Sequence, residues 1–201
     1  MKKTAAFFTL VILIFGIASC SQKREYTRGI LTSTTFESEY LNLKFTAPEG
    51  TTMATEEEMK KVSSMGAQVA QVDSQQFDAA LENTVYEMQA FYIAGYPNVF
   101  LIVEKLAFSN MTVENYMESV KQQLSKLSTV KYDITTEDEK ATIAGQKYSK
   151  LSASAIYGTV SLTQDYYVRI QDGRAISFIV TYTSDTIDKK NELLEAFKEY
   201  N

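Results

Sequence analysis

Residues 159–182 read TVSLTQDYYVRIQDGRAISFIVTY, and this stretch decides the fold class of the chain. Tyrosine, valine, isoleucine and phenylalanine are concentrated on both sides of Asp172-Gly173, a dipeptide that strongly favours a two-residue hairpin turn. The pattern predicts two antiparallel strands, at Thr159–Ile170 and Ala175–Tyr182. A β-sheet built from hairpins is therefore expected at the centre of the protein.

Further strands are predicted on both sides of this hairpin. Four segments are rich in aromatic and β-branched residues, and they form two pairs, each joined by a turn that contains glycine: Tyr86–Ala94 with Val99–Phe108, and Tyr132–Ile143 with Gln146–Ala155. The run Phe100–Val103 is continuously apolar, which is typical of a central strand covered on both faces. The later segments form a predicted meander with residues 159–182.

Helices are predicted between these strands. Thr55-Glu56-Glu57-Glu58 has the form of a capping box, and Thr112 supplies an N-cap hydroxyl before a second apolar stripe. Ser184 or Asp185 is expected to cap a closing helix whose apolar stripe includes Phe197.

The first predicted strand of the domain has a clear alternation. Leu41, Leu43 and Phe45 alternate with polar residues, as in a half-buried strand. Residues 73–83 fit a short helix or a packed loop. Together the elements predict a single α+β domain over residues 36–201, an antiparallel β-sheet flanked by helices.

The order of these elements and several local sequences resemble the Mog1/PsbP-like fold. The matching segments are Phe36, Tyr40–Gly50, Ile143–Tyr148, Tyr166–Arg169, Asp172–Arg174 and Phe178–Tyr182. The resemblance implies an α/β/α sandwich, and known members of the fold act as binding or assembly partners. It brings no catalytic residues to transfer to this chain, and a shared fold does not by itself define a function.

The start of the chain has the pattern of a secretion signal. Lys2-Lys3 precedes a short apolar run, Ala5–Phe15, which is too short for a lasting transmembrane helix. Ile17-Ala18-Ser19-Cys20 resembles a bacterial lipobox, in which the cysteine receives a thioether-linked lipid before cleavage. We therefore predict that residues 1–19 are a lipoprotein signal peptide.

After cleavage, Cys20 is expected to begin a polar tether, residues 20–35, that lifts the domain from the membrane. Each buried CH₂ contributes about 0.8 kcal/mol, so the two acyl chains of a diacylglyceryl group anchor a protein durably. The expected location is the extracytoplasmic side of the bacterial cell envelope. The expected partners are the membrane, through Cys20, and an envelope protein.

Composition excludes several classes of function. The net charge is −5, and an acidic protein lacks the basic surface that nucleic-acid binding requires, so no nucleic-acid partner is expected. There is no histidine, and Cys20 is the only cysteine. The absence of histidine excludes Ser-His-Asp and Cys-His catalysis, and with a single cysteine the chain cannot hold zinc through cysteine and histidine. We predict no enzymatic activity, no cofactor and no metal site.

Two acidic runs contain the carboxylate oxygens that a hard cation prefers. Glu56–Glu58 begins a predicted helix, where carboxylates interact favourably with the helix dipole. Glu137–Glu139 is typical of a solvated strand edge or turn, and neither run has the spacing of an EF-hand loop. We interpret both runs as structural.

Aromatic residues are the one surplus, with 13 tyrosines and 11 phenylalanines. Tyr166 and Tyr167 must point to opposite faces of their strand. We predict a partner-binding surface near Tyr167, Arg169 and Arg174, because tyrosine and arginine are frequent interface anchors. The alternative is that these tyrosines only cover the sheet.

The leading expectation is a lipid-anchored binding or accessory protein of the cell envelope. A carrier of a small hydrophobic ligand is the alternative, because the many methionine and phenylalanine residues suit an apolar cavity. A hydrolase that works without histidine is the third and least favoured possibility.

Overall fold

The computed structural model describes residues 24–69, 82–92, 95–108, 110–127, 131–157 and 160–200. The strands in these ranges are β1 (Ile30–Leu31), β2 (Thr35–Ser38), β3 (Leu43–Thr46), β4 (Thr51–Met53), β5 (Thr84–Tyr92), β6 (Asn98–Lys105), β7 (Tyr132–Ile143), β8 (Gln146–Tyr157), β9 (Val160–Gln171), β10 (Arg174–Tyr182) and β11 (Phe197–Lys198). The helices are α1 (Glu56–Val69), α2 (Val113–Lys126) and α3 (Ile187–Glu195). The predicted signal peptide, the predicted lipidation site Cys20 and most of the segment 73–83 lie outside the described residues.

A seven-stranded antiparallel sheet, in the order β4-β5-β6-β10-β9-β8-β7, forms the centre of the domain. Its β9–β10 hairpin is the one predicted from residues 159–182, with Tyr167 directly opposite Phe178. Asp172 and Gly173 have φ values of 52° and 77°, the left-handed conformation that a type I′ turn requires at both positions. The prediction of this hairpin is confirmed.

The inner face of the large sheet carries the main core. This face is the one that presents Phe178, and a small sheet in the order β1-β2-β3-β11 packs over it together with α3. Phe197 lies between the two sheets, with its ring centroid 4.6 Å from that of Phe45 and 4.8 Å from that of Phe178. Tyr148 continues the aromatic series, 5.4 Å from Phe178.

The outer face carries the other two helices. Met117 and Leu124 of α2 are buried against Leu151 and Val168 of the sheet, and α1 packs beside β5. Helices therefore lie on both faces of an antiparallel sheet, and the predicted α+β class is confirmed. Tyr166 and Tyr167 belong to the outer and inner clusters respectively, as the alternation of a strand requires.

The caps predicted at Thr55 and Thr112 are present, but the prediction of Ser184 or Asp185 as the cap of the closing helix is wrong, because Thr183 and Thr186 form the capping box there. The Glu58 amide donates to Thr55 Oγ1 at 3.3 Å, and the Thr55 amide donates to Glu58 Oε2 at 2.7 Å, which completes the capping box of α1. The Asn115 amide donates to Thr112 Oγ1 at 3.2 Å at the start of α2.

The structure corrects two details of the sequence analysis. The closing helix α3 ends at Glu195, and Phe197 lies in β11, because pairing with β3 inserts its ring between the two sheets. Strand β6 is central, but only its inner face is fully covered. Leu101 is buried, whereas Phe100 and Ile102 are half-buried on the outer face.

The N-terminal segment, residues 24–31, also differs from expectation, because it packs on the domain and is not a free tether. A bulge in β5 inserts Glu87, and this buried carboxylate accepts hydrogen bonds from the Tyr26 hydroxyl and, at 3.0 Å, from the Gly29 amide. A Cβ on Gly29 would come within 2.3 Å of the Phe36 ring, so the close approach requires glycine. Only residues 20–23 of the predicted tether remain outside the described structure.

Replacing Glu87 with glutamine is expected to stabilise the protein at neutral pH. Burial raises the pKa of Glu87, against the opposing effects of the Tyr26 and Gly29 hydrogen bonds and the Arg28 charge. A carboxyl whose pKa is raised on folding stabilises the fold below its unfolded pKa and loses that contribution as pH rises. Glutamine keeps an acceptor for Gly29 and never ionises. Urea unfolding should show the gain at neutral pH and its disappearance below pH 4.5.

Glu56→Gln is the matched control, because the pKa of Glu56 is shifted in the opposite direction from that of Glu87. Hydrogen bonds from Lys60 and Arg28 lower the pKa of Glu56, so its contribution to stability is present above pH 4.5 and is lost as pH falls. This variant should be no more stable than the wild type at neutral pH. A Glu87→Gln protein that is less stable than the wild type at neutral pH would contradict the role of burial.

Candidate functional site

The three residues of the predicted partner surface lie on the inner face and make internal contacts. Tyr167 is only 4% exposed, and its hydroxyl donates to Asp165 Oδ2 at 3.0 Å. Arg169 donates to the Tyr148 hydroxyl at 3.0 Å and to the Leu41 carbonyl at 3.1 Å. Tyr167 does not contribute to a partner surface, because the small sheet covers the face to which its side chain points. A partner surface near Arg169 and Arg174, which are partly exposed, stays a prediction.

Arg174 has a structural contact as well. Its guanidinium lies 4.3 Å from the centroid of the Tyr26 ring, in cation–π geometry. The same ring packs edge-on against Tyr40 at 5.2 Å. Arg174 therefore helps to hold the N-terminal segment, and Arg169 holds the loop before β3.

The strongest candidate site is on the opposite side of the large sheet. We call it the outer groove: a depression of about 390 Å³ bounded by α1 and floored by β5, β6, β10 and β9. It exists because neither α1 nor α2 covers this part of the outer face among the residues described. Phe100 and Ile102, which the sequence suggested were covered, form part of its floor.

The lining of the outer groove is uncharged throughout the described residues. Its apolar and aromatic members are Val62, Tyr86, Tyr96, Phe100, Ile102, Leu162 and Ile179. Its polar members all carry amide or hydroxyl groups: Ser63, Gln89, Asn98, Gln164 and Thr181. Small-molecule sites commonly combine an apolar surface of this kind with a few placed polar groups.

Most of the polar atoms on the floor of the groove satisfy one another. Gln164 donates from Nε2 to Thr181 Oγ1 at 3.1 Å and accepts at Oε1 from the Tyr166 hydroxyl at 2.9 Å. Burial raises the pKa of Tyr166, so this hydroxyl stays protonated and able to donate. At the rim, the Ser63 and Tyr86 hydroxyls form a hydrogen bond that joins α1 to β5.

Gln89 is the exception. The residue is 7% exposed, and its Oε1 atom has no hydrogen-bond partner within the part of the chain that the structure describes. Leaving a buried acceptor unsatisfied costs about 1–3 kcal/mol, so such atoms are uncommon in folded proteins. A ligand in the outer groove that donates a hydrogen bond to Gln89 would remove this cost.

A second polar cluster, which the sequence analysis missed, surrounds Asp165 beneath the inner face. This carboxylate is fully buried and accepts a 2.6 Å hydrogen bond from Ser152, and the ammonium groups of Lys150 and Lys190 lie 3.7 and 3.8 Å from it. Ser152 is only 5% exposed, so substrate cannot reach its hydroxyl. The residues of this cluster come from strands β8 and β9 and from helix α3, so only the tertiary structure brings them together.

Carboxylates of both acidic runs make ion pairs with lysine or arginine side chains. Among the described residues, no group of three or more His, Cys, Asp or Glu side chains is placed to hold a metal ion. Glu56 forms 3.0 Å ion pairs with Arg28 and Lys60, and Glu139 pairs with Lys150 at 3.1 Å.

None of the helices in the described ranges is long and apolar enough to cross a membrane.

Comparisons with known proteins add information at the level of fold. No protein-family model matches the sequence, and no curated protein matches it. The solution structure of cyanobacterial PsbP (CyanoP) from Synechocystis sp. PCC 6803 is similar, with a TM-score of 0.52 and 13% identity over 90% of this chain and 99% of that one. The crystal structure of LpqN, described as involved in cell envelope biogenesis of Mycobacterium tuberculosis, aligns with a TM-score of 0.47 and 10% identity, covering 84% and 86% of the two chains. The resemblance to the PsbP-like fold is thus confirmed, and this chain has a PsbP-like α+β domain.

Proposed function

We propose that this protein is a lipid-anchored, extracytoplasmic binding protein of the bacterial cell envelope, and that the outer groove is its binding site. The observation that carries the proposal is the buried Gln89 Oε1 atom, which has no hydrogen-bond partner among the described residues and belongs to a groove whose described lining is uncharged. The fitting ligand has an apolar body and at least one N–H or O–H donor. This proposal combines the predicted binding role with the predicted carrier of a hydrophobic ligand.

The chemistry of the groove favours an uncharged ligand. A charged group would lose its hydration on entering and would meet no opposite charge among the described lining residues, which is costly. The volume of about 390 Å³ is within the usual range for small-molecule sites. Aromatic side chains such as Phe100 and Tyr86 supply flat apolar surface for the body of the ligand.

The lipid anchor in this proposal rests on the lipobox-like sequence that ends at Cys20. A binding role, rather than catalysis, is proposed because the chain has no histidine and the groove contains only amide, hydroxyl and apolar groups among its described residues. An envelope protein remains the proposed partner of the domain, since an uncharged segment of such a protein would suit the same groove.

A neutral fluorescent probe tests the groove directly. N-phenyl-1-naphthylamine has an apolar body and a single N–H donor, and it should bind the domain saturably with increased fluorescence. Gln89→Leu should weaken binding about two- to tenfold, because one hydrogen bond contributes about 0.5–1.5 kcal/mol. The N-methylated probe, which has no donor, should bind wild type and Gln89→Leu equally.

Two lysine substitutions provide a matched pair for this experiment. Ile179→Lys places a charge on the floor of the groove and should abolish probe binding, whereas Ile156→Lys changes a residue that is 72% exposed and outside the groove. Ile156→Lys should bind the probe as the wild type does. Equal binding by all variants would contradict the groove as a ligand site.

A further inference from the structure

The packing of the N-terminal segment, residues 24–31, determines the orientation of the domain relative to the proposed lipid anchor on Cys20. Arg24 donates to the Tyr40 carbonyl at 3.3 Å and lies 4.0 Å from Asp172 Oδ2, at the β9–β10 turn. Tyr26 is then fixed by its hydrogen bond to buried Glu87. Among the described residues, the chain is held to the domain from Arg24 onward, and the domain cannot move away from its anchor by releasing more chain unless these contacts break.

Chain geometry limits the remaining distance. Three residues, Ser21 to Lys23, lie between Cys20 and Arg24, and the four steps from Cys20 to Arg24 span at most about 3.5 Å each in a fully extended chain, or ~14 Å in all. We call the end of the large sheet near Arg24 the turn end; it contains the β7–β8 turn at Ala144-Gly145 and the β9–β10 turn at Asp172-Gly173. This maximum span is shorter than the domain. The end of the domain to which Arg24 is attached is therefore the end that lies next to the lipid.

The outer groove lies toward the other end of the sheet. Its near edge is at Ile102, which pairs with Ser177, three residues or about 10 Å along β10 from Arg174, and its far edge is at Thr181, seven residues or about 23 Å from Arg174. Thr181 pairs with Gln164 and Asn98, and all three residues line the groove.

We propose that the lipid on Cys20 holds the turn end of the domain against the membrane surface and the outer groove away from it. This inference rests on the lipid anchor of the proposed function. It implies that the groove takes its ligand from the extracytoplasmic space or from another protein, and not from the bilayer in which the anchor is inserted. The partner of the turn end is the headgroup region of that bilayer.

Two exposed positions on one strand allow a direct test. Lys147 lies beside the turn end and Ile156 lies near the far end of β8, nine residues away, or about 30 Å. In the lipidated full-length protein Cys20 is blocked, so Lys147→Cys or Ile156→Cys supplies the only reactive thiol. Each variant is labelled with a donor fluorophore and reconstituted in phosphatidylcholine vesicles that contain a rhodamine-labelled lipid.

Energy transfer to the membrane is expected to be several-fold more efficient from position 147 than from position 156. A Gly/Ser insert of about twenty residues after Ser21 has a root-mean-square span of ~25 Å and should remove this difference. Equal transfer from the two positions in the natural chain, or a reversed order, would overturn the orientation.

The lipid anchor and the orientation of the domain are tested by different measurements. Intact mass spectrometry of the purified protein reports whether Cys20 carries lipid, and vesicle flotation of Cys20→Ala reports whether that lipid is needed for attachment. An unmodified cysteine overturns the anchor and the orientation with it. A lipidated cysteine with equal or reversed transfer overturns only the orientation.

Discussion

Asp165→Ala is expected to lower the free energy of unfolding by about 3–5 kcal/mol, the usual cost of removing one partner from a buried charge cluster. Asp165 is fully buried, and its carboxylate accepts hydrogen bonds from Ser152 and Tyr167. The side chains of Lys150 and Lys190, only 17% and 13% exposed, would be left without this counter-charge. Urea denaturation followed by circular dichroism measures the loss.

Glu139→Ala is the matched control for this prediction. Glu139 forms a 3.1 Å ion pair with the same Lys150, but its side chain is 51% exposed. Exposed ion pairs contribute only about 0.2–1 kcal/mol, because water screens the charges. Equal losses of stability in Asp165→Ala and Glu139→Ala would show that the buried cluster has no special role.

Phe197→Ala is expected to cost about 3–5 kcal/mol, because it leaves a cavity between the two sheets that the fold cannot close. The ring is 2% exposed and contacts Phe45 on the small sheet and Phe178 on the large one. The loss would separate the small sheet from the main core, so the alanine variant should also show weaker near-ultraviolet dichroism from its buried tyrosines.

Two other variants make this result interpretable. Phe197→Leu retains most of the apolar volume and should cost less than about 1.5 kcal/mol, which provides a folded protein if the alanine variant does not fold. Tyr200→Ala alters a residue that is 38% exposed in the same terminal segment and should change stability by no more than about 0.5 kcal/mol. A similar effect of Phe197→Ala and Tyr200→Ala would contradict the bridging role of Phe197.

Local signals in the sequence were sufficient for most elements of the fold. The Asp172-Gly173 turn, the Thr55 capping box and the Thr112 cap depend on residues within a few positions of one another. Such interactions are the same in any tertiary context, so patterns of residue type predict them well. The resemblance to the PsbP-like fold follows from the order of the same elements.

The site was less predictable, because it depends on which faces are covered. Tyr167 and Arg169 have the composition of an interface, but the small sheet covers their side of the large sheet. Phe100 and Ile102 have the composition of a core, but the described helices leave them partly open in the outer groove. No pattern within β6 or β9 shows which neighbour will pack on which face.

By itself the sequence determined the fold class, an antiparallel sheet with helices, and showed that the chain has no histidine for catalysis. It also contains an N-terminal signal pattern that predicts a lipid anchor at Cys20. Periodicity and turn chemistry act over a few residues, so the chain alone is enough to specify them. Tertiary structure decided that Tyr26 is held by Glu87 and that the Oε1 atom of Gln89, in the outer groove, has no hydrogen-bond partner among the described residues. Burial and long-range pairing join residues that are distant along the chain, and only the packed fold determines which of them lose contact with water.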